Sequence, residues 1–245
     1  MVPFSPKLPA PSSTRPWGLS KEHRISLNGL DFIPDLSGAL FAPAFKALLI
    51  ADLHLEKASN MARRGVHLPP YDTRASLAQL EAVIAQIRPE QLIFLGDSFH
   101  DDGARERIDV EDLARLRRIS ESAATVWITG NHDPHPPTDI GGRIADHVVL
   151  GGVTLRHEPA QLGEEDFEIS GHLHPGSAVS QRGKRIHCKC FIADGHRLIM
   201  PAFGSFTGAL SISAPPFRGL YDERDFHVWM LSQRAIYKFP GKRVS

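Results

Sequence analysis

Three apolar runs, at 47–50, 91–95 and 125–129, are too short for helices and rich in the residues of fully buried strands. Between the first two lies a stretch with apolar residues Leu77, Leu80, Val83, Ile84 and Ile87. That is the spacing of an amphipathic helix. Asp72 or Thr73 can cap it, and Pro89 ends it. Between the second and third runs, residues 109–121 repeat the pattern, with Val110, Leu113, Leu116 and Ile119 turned inward. A strand–helix–strand–helix–strand order requires crossover connections, hence a mostly parallel sheet covered by helices. Ahead of it, 25–27, 30–33 and 39–41 have strand character, with Asn28-Gly29 as a hairpin turn between the first two. Residues 56–64 read as a short helix carrying Lys57, Arg63 and Arg64. After Pro137 helical periodicity becomes scarce. Segments 147–150, 153–157, 167–170, 186–192, 197–200 and 226–230 read as strands of a second sheet. The expected class is α/β.

At 245 residues and 42% hydrophobic, the chain has material for one sizeable core. Residues 1–22, with five prolines among serines and a threonine, read as an irregular arm. The remainder, 23–245, reads as one domain. Formal net charge is zero, so no global attraction to nucleic acid or anionic membrane is expected. No apolar run is long enough to span a bilayer, and no secretion signal opens the chain. Cys188 and Cys190 are too close for a disulfide framework. The expected setting is the cytoplasm. These two cysteines read as sheet residues, and the arginines at 105, 107, 115, 117 and 118 as a solvated face.

The apolar runs end in a recurring way. Asp52 and His54 follow the first, Asp97 the second, and Asn131 and His132 the third. In the second half, His157, His172 and His174 do the same. On a strand of period two, Asp52 and His54 point the same way. Glycine directly precedes the polar residue at Gly96-Asp97, Gly130-Asn131 and Gly171-His172, as a sharp, close strand exit requires. Imidazole, carboxylate and amide oxygen without thiolate suit manganese, iron or zinc. The donors outnumber what one ion needs, so two divalent ions are expected, about 3.5–4 Å apart as in two-metal sites. Asp97, on the central of the three strands, is the candidate bridge.

The set Asp52-x-His54, Gly96-Asp97, Gly130-Asn131-His132-Asp133, His157 and Gly171-His172-x-His174 resembles the calcineurin-like metallophosphoesterase superfamily. The resemblance implies a two-sheet sandwich flanked by helices. It implies Asp52, His54 and His174 as ligands of the first ion, and Asn131, His157 and His172 as ligands of the second. Asp97 would be shared and His132 catalytic. The second motif, usually GDxxD, departs here, leaving Asp101 or Asp102 for its outer role. Segments 49–57, 63–66, 95–100 and 201–208 also resemble the bacterial ligase-associated metallophosphoesterases, described as DNA-damage-response nucleases. That subgroup usually has glycine where this chain has Glu56. By resemblance, the partner system is an ATP-dependent DNA ligase and helicase.

The chemistry implied is metal-assisted hydrolysis of a phosphate ester. His132 would protonate the leaving oxygen or stabilise the transition state, and Asp133 either orients His132 or caps a turn. Lys57, Arg63 and Arg64 read equally as phosphate contacts or as a solvated helix face. His100 is a candidate for substrate contact. Two substrates compete: DNA, favoured by the subgroup resemblance, and a small nucleotide or lipid-linked pyrophosphate, favoured by the neutral charge. A non-catalytic scaffold would have eroded ligands, and none is eroded.

Overall fold

The computed structural model describes residues 23–244 apart from 67, 70, 182, 223 and 224. The expected arm at 1–22 lies outside the described residues. The first sheet runs in chain order: β1 (Ile25–Leu27), β2 (Leu30–Pro34), β3 (Leu40–Ala42), β4 (Ala47–Ile50), β5 (Gln91–Leu95), β6 (Ala124–Ile128) and β7 (Arg143–Ala145). β1 to β4 are antiparallel neighbours, and β4 to β7 are parallel. Crossovers carry α1 (Lys57–Arg63) and α2 (Asp72–Ile87) after β4, then α3 (Ala104–Arg107) and α4 (Val110–Glu121) after β5.

The second sheet holds β8 (Val148–Leu150), β9 (Val153–Leu155), β10 (Glu168–Ser170), β11 (Pro175–Gln181), β12 (Lys184–Ala193), β13 (Arg197–Ile199) and β14 (Leu210–Ser211). Their order is β14-β11-β12-β13-β10-β9-β8. β15 (His227–Leu231) adds to the far half of β12, and β16 (Ile236–Pro240) adds to β15.

Side-chain parity explains the layers. On β4, Ala47 and Leu49 face the second sheet, where they meet Leu155, Ile169 and Leu198. Leu48 and Ile50 face the opposite way, into α2 and α4 through Leu77, Leu80, Leu113 and Leu116. Central parallel strands buried on both faces have no polar alternation, hence their unbroken apolar runs. On the far face of the second sheet, Cys190, Ile192 and Val228 pack under Ile212 and Phe217, from a loop rather than an α-helix. Both cysteines are free, Cys190 buried and Cys188 partly so.

Three sequence expectations change. Asp72 and Thr73 do not cap α2, whose N-cap is Tyr71. Instead Asp72 Oδ2 accepts from Ala58 N at 2.9 Å, and Thr73 Oγ1 accepts from Glu56 N at 2.9 Å. Both cap the neighbouring α1. Val110 is 76% exposed, because it is the first residue of α4 and precedes the turn that packs. The arginines are not simply solvated. Arg105 and Arg117 share Asp139, Arg115 bridges Glu81 and Asp112, and Arg107 grips Asp101.

Candidate metal centre

β4, β5 and β6 of the first sheet and β9 and β10 of the second point their C-terminal ends at one place. In sheets of this kind, sites form outside those ends. The strand at 47–50 stops before Asp52, so the pleat does not orient Asp52 and His54. Instead Asp52 (φ 54°), His54 (φ 45°) and Glu56 (φ 66°) are left-handed at every second residue. His172 (φ 66°) and His174 (φ 46°) repeat the device. Each such residue costs roughly 1–2 kcal/mol and persists only where neighbours hold it. His54 N donates to Asp97 O at 2.8 Å, and Leu55 N to Ser98 O at 2.9 Å. His172 N donates to both Asp52 oxygens, at 3.1 and 3.0 Å.

Two of the glycines answer to close approach. A Cβ on Gly171 would lie 2.6 Å from Asp52 Oδ2, and one on Gly130 would lie 2.2 Å from Asp97 N. No side chain fits at either position.

The structure gathers the predicted residues into groups. Donor atoms of Asp52, His54 and His174 lie within 4.8 Å of one another, and so do those of Asp97, His157 and His172. His174 Nε2 is 3.2 Å from His54 Nε2 and 3.3 Å from Asp52 Oδ1. His157 Nε2 is 3.3 Å from Asp97 Oδ1, 3.0 Å from Asn131 Oδ1 and 3.2 Å from His172 Nδ1. Asp97 reaches across, its Oδ2 lying 3.7 Å from His54 Nε2. His157 Nδ1 donates to Leu95 O at 2.9 Å, which leaves Nε2 facing the cluster. Such second-nitrogen anchoring is usual for metal-binding imidazoles. This donor set fits divalent cations: nitrogens and oxygens converge with no lysine or arginine among them.

The charges agree. Burial pulls the His54 imidazole down to about 2, against the pull of Asp97. Burial pushes Asp97 up, but the bond and charge of His157 and the His132 N–H outweigh it and hold Asp97 at about 2. Burial also opposes a proton on His157, yet Asp97 and Asp52 raise it to about 9. A proton there offsets the charge of the two carboxylates.

His132 is exposed. Its N–H donates to Asp97 Oδ1 at 2.9 Å, and its Nδ1 donates to the His100 carbonyl at 2.9 Å. Asp133 does not orient it. That carboxylate, 2% exposed, accepts from Ser98 N, Phe99 N and Gly130 N at 2.8, 3.1 and 3.1 Å, tying the second motif to the third. Burial raises Asp133 to about 7. Of Asp101 and Asp102, Asp101 is drawn in: it accepts from Asn60 Nδ2 at 2.6 Å and pairs with Arg107.

Sequence reasoning gave His100 too small a part. Donor atoms of His54, His100 and His132 fall within 4.8 Å, and the His100 ring stacks on His132 with centroids 5.1 Å apart. Its position three residues after Asp97 was the available signal. Lys189 was missed altogether. Its ammonium donates to Ala202 O, Gly204 O and Thr207 Oγ1, acceptors that no sequence pattern marks. A cleft of about 390 Å³ opens beside Asn131 and His157, lined also by Thr129, His147 and Arg156. A larger one, about 670 Å³, includes Gln161, His196, Arg218 and Tyr221 and none of the predicted ligands. No helix among the described residues is long and apolar enough to cross a membrane.

The calcineurin-like phosphoesterase family profile matches residues 45–172. Among solved structures, the nuclease MPE of Pseudomonas putida is 29% identical with a TM-score of 0.68. The match covers 88% of this chain and 98% of that one. Yfce, a phosphoesterase from E. coli, is 15% identical with a TM-score of 0.40, covering 79% and 98%. A protein of unknown function from Aquifex aeolicus is 18% identical with a TM-score of 0.39, covering 52% and 78%. No curated protein matches.

Proposed function

The chain belongs to the calcineurin-like phosphoesterase family and is a metal-dependent phosphoesterase, and on that premise we propose that it is a DNA-cleaving phosphodiesterase with two divalent ions. Asp52, His54 and His174 would hold the first ion, and Asn131, His157 and His172 the second, with Asp97 within reach of both groups. The observation that carries this reading is the pair of three-residue donor groups joined through Asp97. Manganese is the first choice for such donors, with iron or zinc as alternatives. When bound, the ions draw negative charge off the phosphate and lower the pKa of water.

The chain's own residues do the rest. The Nδ1–H of His157 on Leu95 O fixes its ring so that Nε2 serves as the donor. Asp133 holds the backbone from Ser98 to Gly130, keeping Asp97 and Asn131 in register. His132 is outside both donor groups and exposed. With Nδ1–H committed to the His100 carbonyl, the ring acts as an acid in its doubly protonated form: Nε2–H gives its proton to the leaving oxygen and the ring is left neutral with Nδ1–H in place.

The nuclease assignment draws on the likeness to the P. putida enzyme over nearly its whole length. A DNA-repair setting in a bacterial cytoplasm, beside an ATP-dependent ligase and helicase, follows from the subgroup resemblance. A small-molecule diester remains the second reading, favoured by the zero net charge. The test is manganese-loaded protein against bis(p-nitrophenyl) phosphate, p-nitrophenyl phosphate, and single- and double-stranded DNA. DNA cleavage that disappears with chelator is the expected result. Diester hydrolysis without DNA cleavage selects the second reading. No manganese-dependent hydrolysis of any substrate overturns both.

A further inference from the structure

We infer that Lys189 is a positioning residue for the Asp52–His54–His174 group, acting through the loop over 203–210. The inference rests on the two-ion reading above. It begins with the pleat of β12. Cys188 and Cys190 turn into the outer core of the second sheet, so the residue between them turns the other way. There the Lys189 ammonium meets three acceptors: Ala202 O at 2.8 Å, Gly204 O at 3.1 Å and Thr207 Oγ1 at 2.8 Å. An ammonium has three protons, and each has an acceptor.

The loop it fastens is attached at both ends to the first donor group. Phe203 N donates to Ala51 O at 2.8 Å and Gly204 N to Asp52 O at 3.1 Å. At the other end, Leu210 N donates to His174 O at 2.8 Å. Between them, Ser205 N donates to Ser76 Oγ at 3.0 Å, which ties the loop to α2. The approach is close: a Cβ on Gly204 would lie 2.3 Å from Leu53 O.

Asp52 and His174 are both left-handed without being glycine. Such residues relax unless their surroundings hold them. The 203–210 loop supplies a hydrogen bond to the carbonyl of each, and Lys189 is the only charged side chain among the described residues that bonds this loop's backbone. Asp97, His157 and His172 receive no such bond from the loop. Loss of Lys189 therefore acts first on Asp52 and His174, and reaches the other group only through the His172 N–H bonds to Asp52.

Calorimetric titration of chelator-stripped protein with Mn2+ tests this, using wild type, Lys189→Met, Lys189→Arg and Thr207→Val. Wild type should bind two ions. Lys189→Met should weaken one binding event about 10–100-fold, the usual effect of removing an outer support of metal ligands, and the other far less. Turnover of a model diester should then need more manganese to reach its plateau. Lys189→Arg should restore most of the affinity, and Thr207→Val should fall between wild type and Lys189→Met. If Lys189→Met does not fold, Thr207→Val decides by the same split. Equal weakening at both events, or two wild-type affinities in Lys189→Met, overturns the role of Lys189. A wild-type protein that binds no ions overturns the reading beneath it.

Discussion

His132 and His157 are both imidazoles anchored through Nδ1 to a backbone carbonyl, and burial separates their parts. His157 is 4% exposed and directs Nε2 at Asp97 and Asn131, whereas His132 is exposed and belongs to neither donor group joined by Asp97. Replacing His132 with alanine should lower kcat about 10²–10⁴-fold, the usual share of a proton donor, while both ions stay bound. Metal analysis beside the kinetics checks this: loss of an ion along with activity would make His132 a ligand. Glu56 poses a different problem. It is left-handed (φ 66°), yet buried, with Oε1 taking the Thr73 hydroxyl and Oε2 the Ser59 hydroxyl. Glycine, usual here in the resembling subgroup, has no quarrel with that backbone. Glu56→Ala keeps the strain and loses the carboxylate, costing about 1–3 kcal/mol. Glu56→Gly recovers roughly 1 kcal/mol of it. Urea unfolding should rank the three proteins Glu, Gly, Ala in falling stability. Alanine above glycine would show that φ at 56 is not a constraint.

Helix α1 is the element that depends most on another. It has seven residues, follows directly on the first motif, and its N-cap, Glu56, makes no capping bond with its side chain. The orphan N–H groups are met by Asp72 and Thr73, at the start of α2. Asp72→Ala should cost about 0.5–2 kcal/mol, as loss of a cap does. The loss should be felt first as faster amide exchange in α1, not in α2. Faster exchange confined to the first turn of α2 would return Asp72 to the role its sequence position suggests. This element shows where legibility ends. Local rules read Asp72 against its own helix, because capping patterns run along the chain, whereas the acceptor faces a helix 14 residues earlier. β11 was unreadable for a related reason. It opens with Pro175-Gly176-Ser177, turn residues by composition, and is a strand because β12 and β14 pair with it on its two sides. The donor residues were legible. Each follows an apolar run or a glycine, and both signals are local consequences of a strand leaving a packed sheet. The left-handed backbone that aims them was not, since Asp and His are only enriched in that region and nothing local sets Asp52 and His54 apart from the chain's other Asp and His residues. Lys189 was hidden too, because its acceptors are mostly carbonyls.

At the scale of the molecule, the donor groups join the two sheets: Asp52 and Asp97 come from the first, and His157, His172 and His174 from the second. The sandwich closes with two buried carboxylates facing imidazoles, so without ions its stability must depend on protons. His157 is raised from 6.5 to about 9. A raised pKa contributes stability that is complete below 6.5 and is lost as pH rises through 9. Other groups titrate only partly between pH 7 and 8. Asp133, raised to about 7, loses its contribution between 3.8 and 7. The depressed His54 and His100 penalise the fold only below 6.5. The penalty of Lys189, lowered to about 8 by burial, fades as pH rises through that value. Between pH 7 and 8, therefore, His157 dominates. Metal-stripped protein should lose stability across that interval, with a slope below the roughly 1.4 kcal/mol per pH unit of one whole proton, because Lys189 titrates there in the opposite sense. On the two-ion reading, loaded protein has no proton on His157 Nε2 to lose, so that fall should be absent and only the partial, opposed titrations of Asp133 and Lys189 should remain. Urea midpoints at pH 7.0, 7.5 and 8.0, with chelator and with manganese, make the comparison. A stripped protein as flat as the loaded one would mean that Asp52 and Asp97 do not hold a proton on His157, and that the cluster meets its need for positive charge elsewhere.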